Sequence, residues 1–443
     1  MTETAREIVQ KVFRAGVVGA GGAGFPTHVK LGAKAEIYLV NGAECEPLLK
    51  TDQQLAARDA ALLVRGLSLG MEATGAKEGV VALKAKYHEA IEALTPLLSP
   101  NMRIHILKDV YPAGDEVLAI WMATGRRVPP GGLPLDIGVV VGNVQSLINV
   151  ARAVDDDAPV THRTLTVTGA VRQPATLTLP IGAPLSEAVE LAGGLSIDEK
   201  DAAYIDGGPM MGKLLGALDA PVTKTTGGVI ALPADHPLIR RRRADMRSIV
   251  NAARTVCEQC MLCTELCPRH LIGHELSPHL IVRSVNYGHV AQPSVPLSAL
   301  TCSECGVCEA YACPVGISPM RLNQALKARL RAEGARYEGA LRPADPMIEG
   351  RLLPVSRLVA RLGLAPYNRA APLSPRTHEP KRVTIRLRQH IGAPALACVK
   401  PGEAVRRGQC VGEAPAGALG VPVHASIDGV VAEVNPDAVV IER

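Results

Sequence analysis

The chain has 443 residues and a mass of 46.6 kDa, which at roughly 150 residues per domain allows about three domains. Hydrophobic residues make up 47% and charged residues 21%, and the net charge of +5 comes from 48 basic against 43 acidic residues, so the composition excludes a disordered or strongly basic nucleic-acid-binding chain. With 2 Phe, 1 Trp and 8 Tyr, the sequence also excludes a platform that stacks single-stranded nucleic acid on rows of aromatic rings.

The first third of the chain alternates between apolar β-type runs and helical stretches. Helical spacing over residues 4–14 leads into a glycine loop at residues 19–24. Apolar runs follow at residues 36–40, 79–83, 103–107 and 138–141, with helical stretches at 53–69 and 144–153. This alternation is typical of a layered α/β domain, and the aspartates at 155–157 mark a plausible boundary. We therefore predict a Rossmann-like α/β domain over residues 1–157.

Four further segments follow this domain. Short β-like stretches around one helix at residues 158–238 predict a β-grasp domain, and the arginine run at 240–243 is interpreted as a solvated linker. Residues 245–335 are rich in cysteine and mostly helical. Residues 336–380, rich in Arg and Pro, predict a surface linker with one amphipathic stretch at 354–364. Residues 381–443 carry the short Val-rich strands of a compact β-sandwich or barrel, so the fold class is multidomain α/β.

Eleven cysteines are present, and eight of them fall between Cys257 and Cys313. The odd total, the lack of an apolar signal region at the N-terminus and the lack of an apolar run of about 18 residues predict a reducing, cytoplasmic location without a transmembrane segment. Clustered cysteines in such a compartment are expected to bind metal. The remaining three, Cys45, Cys398 and Cys410, are interpreted as packing residues.

The eight clustered cysteines form two arrays with ferredoxin-type spacing. In each array three cysteines are separated by two residues, and a fourth precedes a proline. In two-cluster ferredoxins this fourth cysteine ligates the other cluster, so we predict crossed sets. One [4Fe-4S] cluster is assigned to Cys257, Cys260, Cys263 and Cys313, and the other to Cys302, Cys305, Cys308 and Cys267. Structural zinc is the alternative, but it would leave the third close cysteine and the Cys-Pro tail of each array unexplained.

A second motif surrounds the glycine loop. The loop, Gly19-Ala20-Gly21-Gly22-Ala23-Gly24, continues into Phe25-Pro26-Thr27, and Asn41-Gly42-Ala43-Glu44-Cys45-Glu46-Pro47 follows the next β-type run. Glycines expose backbone N–H groups to a phosphate. The dinucleotide fingerprint joins a strand to a helix, whereas here a helix comes first, so the loop is not that fingerprint. Taken alone, it is also compatible with a tight connection that binds nothing.

Together with Tyr111-Pro112-Ala113-Gly114-Asp115-Glu116 and Val141-Gly142-Asn143-Val144, these segments resemble the FMN- and NADH-binding subunits of respiratory complex I and, more closely, the C subunit of Rnf complexes. The resemblance implies bound FMN, with the glycine loop and Lys30 at its phosphate and ribityl groups and the acidic loop along its isoalloxazine ring. The implied FMN-site residues are Gly19, Gly21, Gly22, Gly24, Lys30, Asn41, Glu44, Tyr111, Gly114, Asp115, Glu116 and Asn143.

The resemblance also implies that NADH contacts Phe25 and Glu46. Two departures bear on these implications. Ala43 stands where complex I-type sequences have an acidic residue, so we expect one flavin hydrogen bond to be absent or rearranged. The scarcity of aromatic residues leaves Phe25 as the main candidate to stack with the nicotinamide nucleotide.

The order of the modules indicates which group of proteins within this family the chain resembles. The segment Gly207-Gly208-Pro209-Met210-Met211-Gly212 fits an SLBB-type β-grasp domain, and the last segment resembles a biotinyl/lipoyl-like barrel-sandwich hybrid. Residues 425–429, where a carrier domain presents its modified lysine, contain no lysine, so we expect a docking module. The sequence of FMN domain, SLBB domain, helical two-[4Fe-4S] ferredoxin domain and C-terminal hybrid resembles the cobalamin reductases of propanediol-utilisation microcompartments.

This resemblance implies an NADH-dependent oxidoreductase that passes electrons from NADH to FMN, to the two clusters and then to the cobalt of cobalamin, supporting B12 reactivation for a diol dehydratase. No catalytic acid or base is required. The implied partners are a corrinoid adenosyltransferase and a microcompartment shell protein. One alternative is an electron-transfer subunit for a protein acceptor, such as a shell iron–sulfur protein or an Rnf-like complex. Another is a scaffold whose clusters are structural.

Overall fold

The computed structural model describes residues 2–288 and 292–443. Its first module is built on a parallel sheet with helices on both faces. Its helices and strands are α1 (Glu3–Arg14), α2 (Thr27–Leu31), β1 (Ile37–Asn41), α3 (Thr51–Arg58), α4 (Ala60–Thr74), β2 (Glu78–Lys84), α5 (His88–Leu94), β3 (Met102–Leu107), β4 (Val110–Tyr111), α6 (Glu116–Thr124), β5 (Val139–Asn143) and α7 (Val144–Asp155). The continuous helix predicted at 53–69 is two helices, because Asp59, with ψ of 33°, leaves the helical conformation between α3 and α4.

The sheet of this module has the strand order β3-β2-β1-β5, all parallel. One face packs under α1, α4 and α7, and the other under α6, so the central strand β1 is buried on both faces, as its continuous apolar sequence requires. The chain crosses to one side of β1 to form β2 and to the other side to form β5. Ligands of open α/β sheets bind at the carboxyl ends of the strands where the direction of winding changes. Here Asn41 and Asn143 are register partners at that point.

The second module is a five-stranded mixed sheet with the order β7-β6-β10-β8-β9, covered by one helix. Its elements are β6 (His162–Gly169), β7 (Ala175–Pro180), α8 (Leu185–Leu191), β8 (Ala202–Asp206), β9 (Lys213–Leu215) and β10 (Gly228–Pro233). The sequence pattern predicts β6, β7, α8 and β10. The strands β8 and β9 are short and lack a regular alternation, so they become strands through pairing with each other and with β10.

The cysteine-rich region is helical and continues into a packed connector. Its elements are α9 (Pro237–Arg243), α10 (Met246–Val256), α11 (Leu262–Glu265), α12 (Pro268–Leu271), α13 (Pro278–Tyr287), α14 (Ser294–Leu297), α15 (Pro319–Ala332), α16 (Ile348–Arg351), β11 (Leu353–Pro354) and α17 (Val355–Arg361), with a π-helical turn at Cys308–Ala312. The connector is well anchored: β11 pairs with β4 of the first module, and Leu353 and Leu358 are buried.

The arginine run is not simply solvated, which corrects the sequence interpretation. It forms the end of α9, and the Arg242 guanidinium donates to the carbonyl oxygens of Pro209 and Gly212 in the second module. Burial lowers the pKa of Arg242, and the negative charge of Glu46 opposes that shift. The run therefore helps to fix the loop at residues 207–212.

The last module consists of two small antiparallel sheets, ordered β12-β18-β17-β14 and β13-β15-β16. Its strands are β12 (Arg382–Arg386), β13 (Leu396–Ala397), β14 (Ala404–Val405), β15 (Cys410–Glu413), β16 (Val423–His424), β17 (Gly429–Asn435) and β18 (Ala438–Glu442). The Ser426 hydroxyl donates to the Ile181 carbonyl at 2.5 Å, so the segment at 425–429 packs against the second module. In the described part of the chain, no helix combines the length and apolar character needed to cross a membrane.

Lys224 joins three modules at one buried point. Its side chain is 3% exposed, and its Nζ donates to the carbonyl oxygens of Gly16 at 2.7 Å and of Pro422 at 2.9 Å. Its backbone N–H donates to the Gln389 side chain at 2.9 Å. Burial lowers the pKa of Lys224 to about 7. Because both carbonyls are satisfied by this one amine, Lys224 links the first, second and last modules.

Replacing Lys224 with Met is expected to loosen the last module, because two buried carbonyls would lose their donor at about 1–3 kcal/mol each. We expect a lower thermal midpoint and faster cleavage by proteinase K at the junction of the last module. Lys213→Met changes an exposed lysine of the same module and is the matched control. Equal stability of the two variants would contradict the role assigned to Lys224.

Candidate functional site

The glycine loop lies at the carboxyl ends of β1 and β5. A Cβ on Gly21 would stand 3.7 Å from the Asn143 Cβ, so the loop crosses directly over the end of β5. The Gly19 N–H donates to the Phe25 carbonyl and the Ala20 N–H to the Ser146 hydroxyl, both at 2.8 Å. Among the described residues, the N–H groups of Gly21 and Gly22 meet no acceptor. These open donors over a strand-end crevice fit a phosphate-bearing cofactor such as FMN.

The crevice is also lined by polar side chains from three segments. The Asn41 amide donates to the Gly114 carbonyl at 2.8 Å. The Lys30 Nζ donates to the Val141 carbonyl at 3.0 Å and lies 3.2 Å from a Glu116 oxygen. These contacts bring Lys30, Asn41, Gly114 and Glu116 to the same strand ends as the glycine loop. Their roles toward FMN stay predictions.

Glu44 turns toward the amino terminus of α3. One carboxylate oxygen accepts the Asp52 N–H at 2.9 Å and the other the Gln53 N–H at 3.3 Å. Burial raises the pKa of Glu44, while these hydrogen bonds oppose the shift. Glu44 has φ of 35°, a conformation that L-residues rarely adopt and that is found mostly where the surrounding structure imposes it.

Two residues that sequence reasoning missed complete this corner. Asp52 accepts a hydrogen bond from the Asn143 amide at 2.7 Å, and burial together with the Glu44 charge raises the pKa of Asp52 to about 7. Arg163 of the second module is buried and donates to the Ala20 carbonyl of the glycine loop at 2.7 Å. Asp52 is visible in the sequence as an acidic residue at a helix start, but nothing in the sequence signals that Arg163 reaches the loop.

Tyr111 and Asp115, whose roles at the FMN site stay predictions, contact the cysteine-rich region. The Tyr111 side chain is 1% exposed, and its hydroxyl donates to the Cys305 carbonyl at 2.7 Å. Asp115 caps α6 through the Leu118 N–H and forms a 2.9 Å ion pair with Arg269, both side chains being largely buried. These two contacts join the first module to the cysteine-rich region, one at Cys305 of the second array and the other just after Cys267 of the first array.

Phe25 and Glu46, predicted to contact NADH, lie in different surroundings. Phe25 is half-buried beside the glycine loop. The Glu46 oxygens accept the N–H groups of Met210 and Met211, each at 2.9 Å. Burial raises the pKa of Glu46 to about 7, although these N–H donors and the charge of Arg242 lower it. The Glu46 carboxylate is therefore held by the loop of the second module.

The eight clustered cysteines divide into two sets around two cavities. One cavity is lined by Cys257, Cys260, Cys263 and Cys313, and the other is lined by Cys267, Cys302, Cys305 and Cys308. These are the crossed sets assigned from the spacing, with each fourth cysteine in the cavity of the other array. Within the described residues, no group of His, Cys, Asp and Glu side chains is arranged to hold a single metal ion. Four thiols around a cavity fit a cubane cluster.

The two cavities differ in exposure. In the set around Cys302, all four cysteines are buried, whereas Cys260 is exposed and Cys257 and Cys263 are half-buried. We name the cavities the inner cavity, which holds Cys305 next to Tyr111, and the outer cavity, which holds Cys260. The inner cavity is thus the one in contact with the first module.

Comparisons with known families match all four modules. Family models match the Nuo51 FMN-binding domain at residues 12–152, the SLBB domain at 164–214, a 4Fe-4S dicluster domain at 256–318 and the RnfC barrel sandwich hybrid domain at 370–442. They confirm the fold class predicted from the sequence, and they support FMN and [4Fe-4S] clusters as the cofactors of this chain.

Individual relatives extend the match to the full length. The chain is 62% identical to cobalamin reductase PduS of Salmonella typhimurium, over 100% of this chain and 98% of that protein, and 60% identical to cobalamin reductase PduS of Citrobacter freundii, over 99% and 97%. It is 37% identical to the C subunit of the Na⁺-translocating ferredoxin:NAD⁺ oxidoreductase complex of Acetobacterium woodii, over 60% of this chain and 58% of that protein. Among solved structures, an NAD⁺-reducing [NiFe]-hydrogenase in the H2-reduced state matches at 23% identity with a TM-score of 0.47, covering 80% of this chain and 64% of that one.

Replacing Cys260 with Ala is expected to remove the cluster of the outer cavity, because the cubane loses one of its four thiolate ligands at the side exposed to solvent. We expect bound iron and acid-labile sulfide to fall by about half, with FMN content unchanged. Cys398→Ala, which removes an exposed thiol outside both cavities, is the control and should retain all the iron. Loss of a zinc ion in place of iron would contradict the assignment.

Replacing Glu46 with Gln is expected to flatten the pH dependence of stability. The folded-state pKa of about 7 lies above the ordinary value of 4.5, so the folded protein binds more protons between these values and its stability falls as the pH rises through that window. Removing this carboxylate should lower the slope of the unfolding free energy by up to about 1.4 kcal/mol per pH unit. Urea unfolding between pH 5 and 8 measures the slope; Glu89→Gln, an exposed carboxylate, is the control. An unchanged slope in Glu46→Gln would show that Glu46 does not titrate there.

Proposed function

Because the chain belongs to the PduS family of cobalamin reductases, we propose that it is an NADH-dependent oxidoreductase that carries electrons from NADH through FMN and two [4Fe-4S] clusters to the cobalt of a corrinoid. When bound, FMN accepts electrons in pairs from NADH and releases them singly, and the clusters carry one electron at a time. The proposal therefore needs the chain to bind the cofactors, orient them and keep them close to one another.

The observation that carries the proposal is the contact of the first module with the inner cavity. The Tyr111 hydroxyl donates to the carbonyl of Cys305, and the Asp115–Arg269 ion pair fixes the same two segments. Both Tyr111 and Asp115 stand in the segment that ends at Glu116, beside the crevice. A single short segment thus spans from the candidate flavin crevice to a cysteine of the inner cavity, which is the arrangement that an electron route requires.

For FMN, we propose that the Gly21 and Gly22 N–H groups hold the phosphate and that Lys30 supplies a positive charge nearby. Asn41, Glu44 and Asn143 are proposed to orient the remaining polar groups of the cofactor. Ala43 is fully buried in the core beneath the strand ends, so it supplies no hydrogen bond to the cofactor.

For NADH, we propose that the nucleotide enters beside Phe25. A direct contact of Glu46 with NADH would require the Met210 and Met211 N–H groups to give up its carboxylate. Glu46 is therefore expected to act on the nucleotide mainly by fixing the loop at residues 207–212.

For the clusters, we propose that the four cysteines of the inner cavity hold the cluster that is reduced first, and that the four of the outer cavity hold the second. The order follows from contact and exposure: the inner cavity is buried against the first module, and the outer cavity has an exposed cysteine, Cys260. Electrons would then move from the buried side of the chain to its surface.

We further propose that the acceptor is cob(III)alamin or cob(II)alamin and that the product supports a corrinoid adenosyltransferase and, through it, a diol dehydratase. We also propose a location in a bacterial microcompartment, in contact with a shell protein; the resemblance to PduS proteins supports this proposal. The full-length identity of 62% to a protein named cobalamin reductase supports this acceptor over the protein acceptor of an Rnf-like complex, whose C subunit matches 60% of the chain.

The test is an anaerobic titration of protein reconstituted with FMN, iron and sulfide. Adding NADH should bleach the flavin absorption, and adding cob(III)alamin should then produce the absorption of cob(II)alamin. In Cys260→Ala, NADH should still bleach the flavin, but cob(II)alamin should form at least tenfold more slowly, a loss of about 1.4 kcal/mol or more in activation free energy.

Each possible outcome tests one claim of the proposal. A flavin that stays oxidised after NADH would contradict the proposed electron donor. A bleached flavin without cob(II)alamin would favour a protein acceptor. Cob(II)alamin formation at the original rate in Cys260→Ala would contradict the exit of electrons through the outer cavity.

A further inference from the structure

The two cysteine arrays provide an internal comparison, because the chain adopts the same conformation around the second cysteine of each array. In each array the residues before and after the second cysteine have positive φ: Gln259 at 55° and Met261 at 68° in one, Glu304 at 60° and Gly306 at 76° in the other. Cys260 and Cys305 therefore occupy equivalent positions. What surrounds one of them can be compared with what surrounds the other.

Around the inner cavity, the positions on either side of Cys305 are covered. Val307 is 1% exposed, and the Tyr111 hydroxyl bonds to the Cys305 carbonyl. A Cβ on Gly306 would lie 3.4 Å from the Met210 Cε, so the loop of the second module rests on this glycine. Through these contacts, the first and second modules cover the inner cavity at Cys305 and Gly306.

Around the outer cavity, the equivalent positions are open. Leu262, the counterpart of Val307, is 38% exposed, and Met261, the counterpart of Gly306, is 43% exposed. Val315 follows Cys313-Pro314 and is exposed, whereas its counterpart, Arg269, is buried in the ion pair with Asp115. We name Met261, Leu262 and Val315, together with Val256 beside Cys257, the apolar collar of the outer cavity.

Met261 is unusual within the collar because its conformation favours glycine. A residue with a side chain rarely adopts φ near 68°, and the equivalent position of the other array is indeed Gly306. Keeping an exposed methionine in this conformation costs free energy that glycine would avoid, and such strain is characteristic of functional positions. Methionine is also the apolar side chain that adapts best to an irregular ligand surface.

We propose that the apolar collar is the docking site for the corrinoid, which lies over Cys260 as the first and second modules lie over Cys305. The inference rests on the proposed function and adds the place where the substrate binds. Met261 and Val315 line the outer cavity itself, so a ligand on the collar lies against the cavity from which electrons leave.

The charge of the collar favours a corrinoid over a redox protein. Within residues 2–288 and 292–443, Glu258 is the one carboxylate that lines the outer cavity, and no Lys or Arg lines it. Partner proteins of electron carriers are steered by complementary charged patches, whereas small-molecule sites are mostly apolar with a few polar groups. Cobalamin has an uncharged, amide-bearing rim around its ring, which matches an apolar collar with isolated polar groups such as Gln259 and Glu258.

The electron balance is complete with NADH as the reductant. NADH yields NAD⁺, a proton and two electrons. Each electron that leaves beside Cys260 converts a cob(III)alamin to cob(II)alamin, with loss of one axial ligand to solvent, so one NADH serves two such events. No further oxidant or reductant is needed.

The test measures binding as well as turnover, using radiolabelled cyanocobalamin in equilibrium dialysis with the fully reconstituted chain. Met261→Gly removes the side chain but retains the backbone conformation that Gly306 shows to be compatible with this loop. We expect its dissociation constant for cyanocobalamin to rise about tenfold, since a buried methionine contributes roughly that factor. Cobalamin should also slow hydrogen exchange at residues 257–263 of the unaltered chain, and less so in the variant.

Val315→Asn is the second variant, and Met347→Gly, which truncates another exposed methionine that lines neither cavity, is the control. Iron and FMN are quantified in each protein, so loss of a cofactor is distinguished from loss of the collar. If the unaltered chain binds cyanocobalamin and both collar variants bind it equally well, the docking site is wrong and the proposed function stands. If the unaltered chain neither binds nor reduces cobalamin, the proposed function fails and the inference fails with it.

Discussion

The ion pair between Asp115 and Arg269 is the interaction on which the arrangement of this protein depends. Its two side chains are 10% and 14% exposed and lie 2.9 Å apart, and each comes from a segment with a defined task. Asp115 is next in sequence to Gly114, whose carbonyl accepts the Asn41 amide at the crevice. Arg269 lies two residues after Cys267, which lines the inner cavity. Removing one partner of a buried pair leaves an uncompensated charge and costs about 3–5 kcal/mol, so this contact strongly restrains the distance between crevice and cavity.

Other charged side chains also connect the modules, and their partners are backbone carbonyls. Arg163 donates to the glycine loop, Lys224 to Gly16 and Pro422, and Arg242 to the loop at 207–212. In every case a charged group of the second module or of α9 ends on a carbonyl of another segment. Charge-assisted hydrogen bonds of this kind are strong and directional, so they specify how the modules meet as well as stabilising the contact.

The sequence predicted the elements that depend on local pattern and missed the contacts that depend on tertiary packing. The strands ending at Asn41 and Asn143 and the two crossed cysteine sets follow from periodicity and spacing, which are properties of neighbouring residues. The resemblance implies a role for Tyr111 at the cofactor and for Glu46 at the nucleotide, and these roles stay predictions. The sequence does not indicate that the Tyr111 hydroxyl donates to the Cys305 carbonyl or that Glu46 accepts the amides of Met210 and Met211. No local sequence pattern indicates which module will cover a loop. Hydrogen-bond partners from another module are therefore identified only in the folded chain.

If both cavities hold clusters as proposed, the same packing would also favour one direction of electron transfer. Reduction adds negative charge to a cluster, and burial in an apolar environment disfavours that charge, whereas exposure to water stabilises it. The inner cavity is buried, although Lys327, which donates to the Cys302 carbonyl at 2.7 Å, and Arg269 offset part of the penalty. The outer cavity, with Cys260 at the surface, needs no such cations. The charge of a cluster held there would be screened by solvent, which would favour the electron at the surface, where an acceptor could reach it. The two arrays share their conformation around the second cysteine, so their different burial would be the main source of this difference.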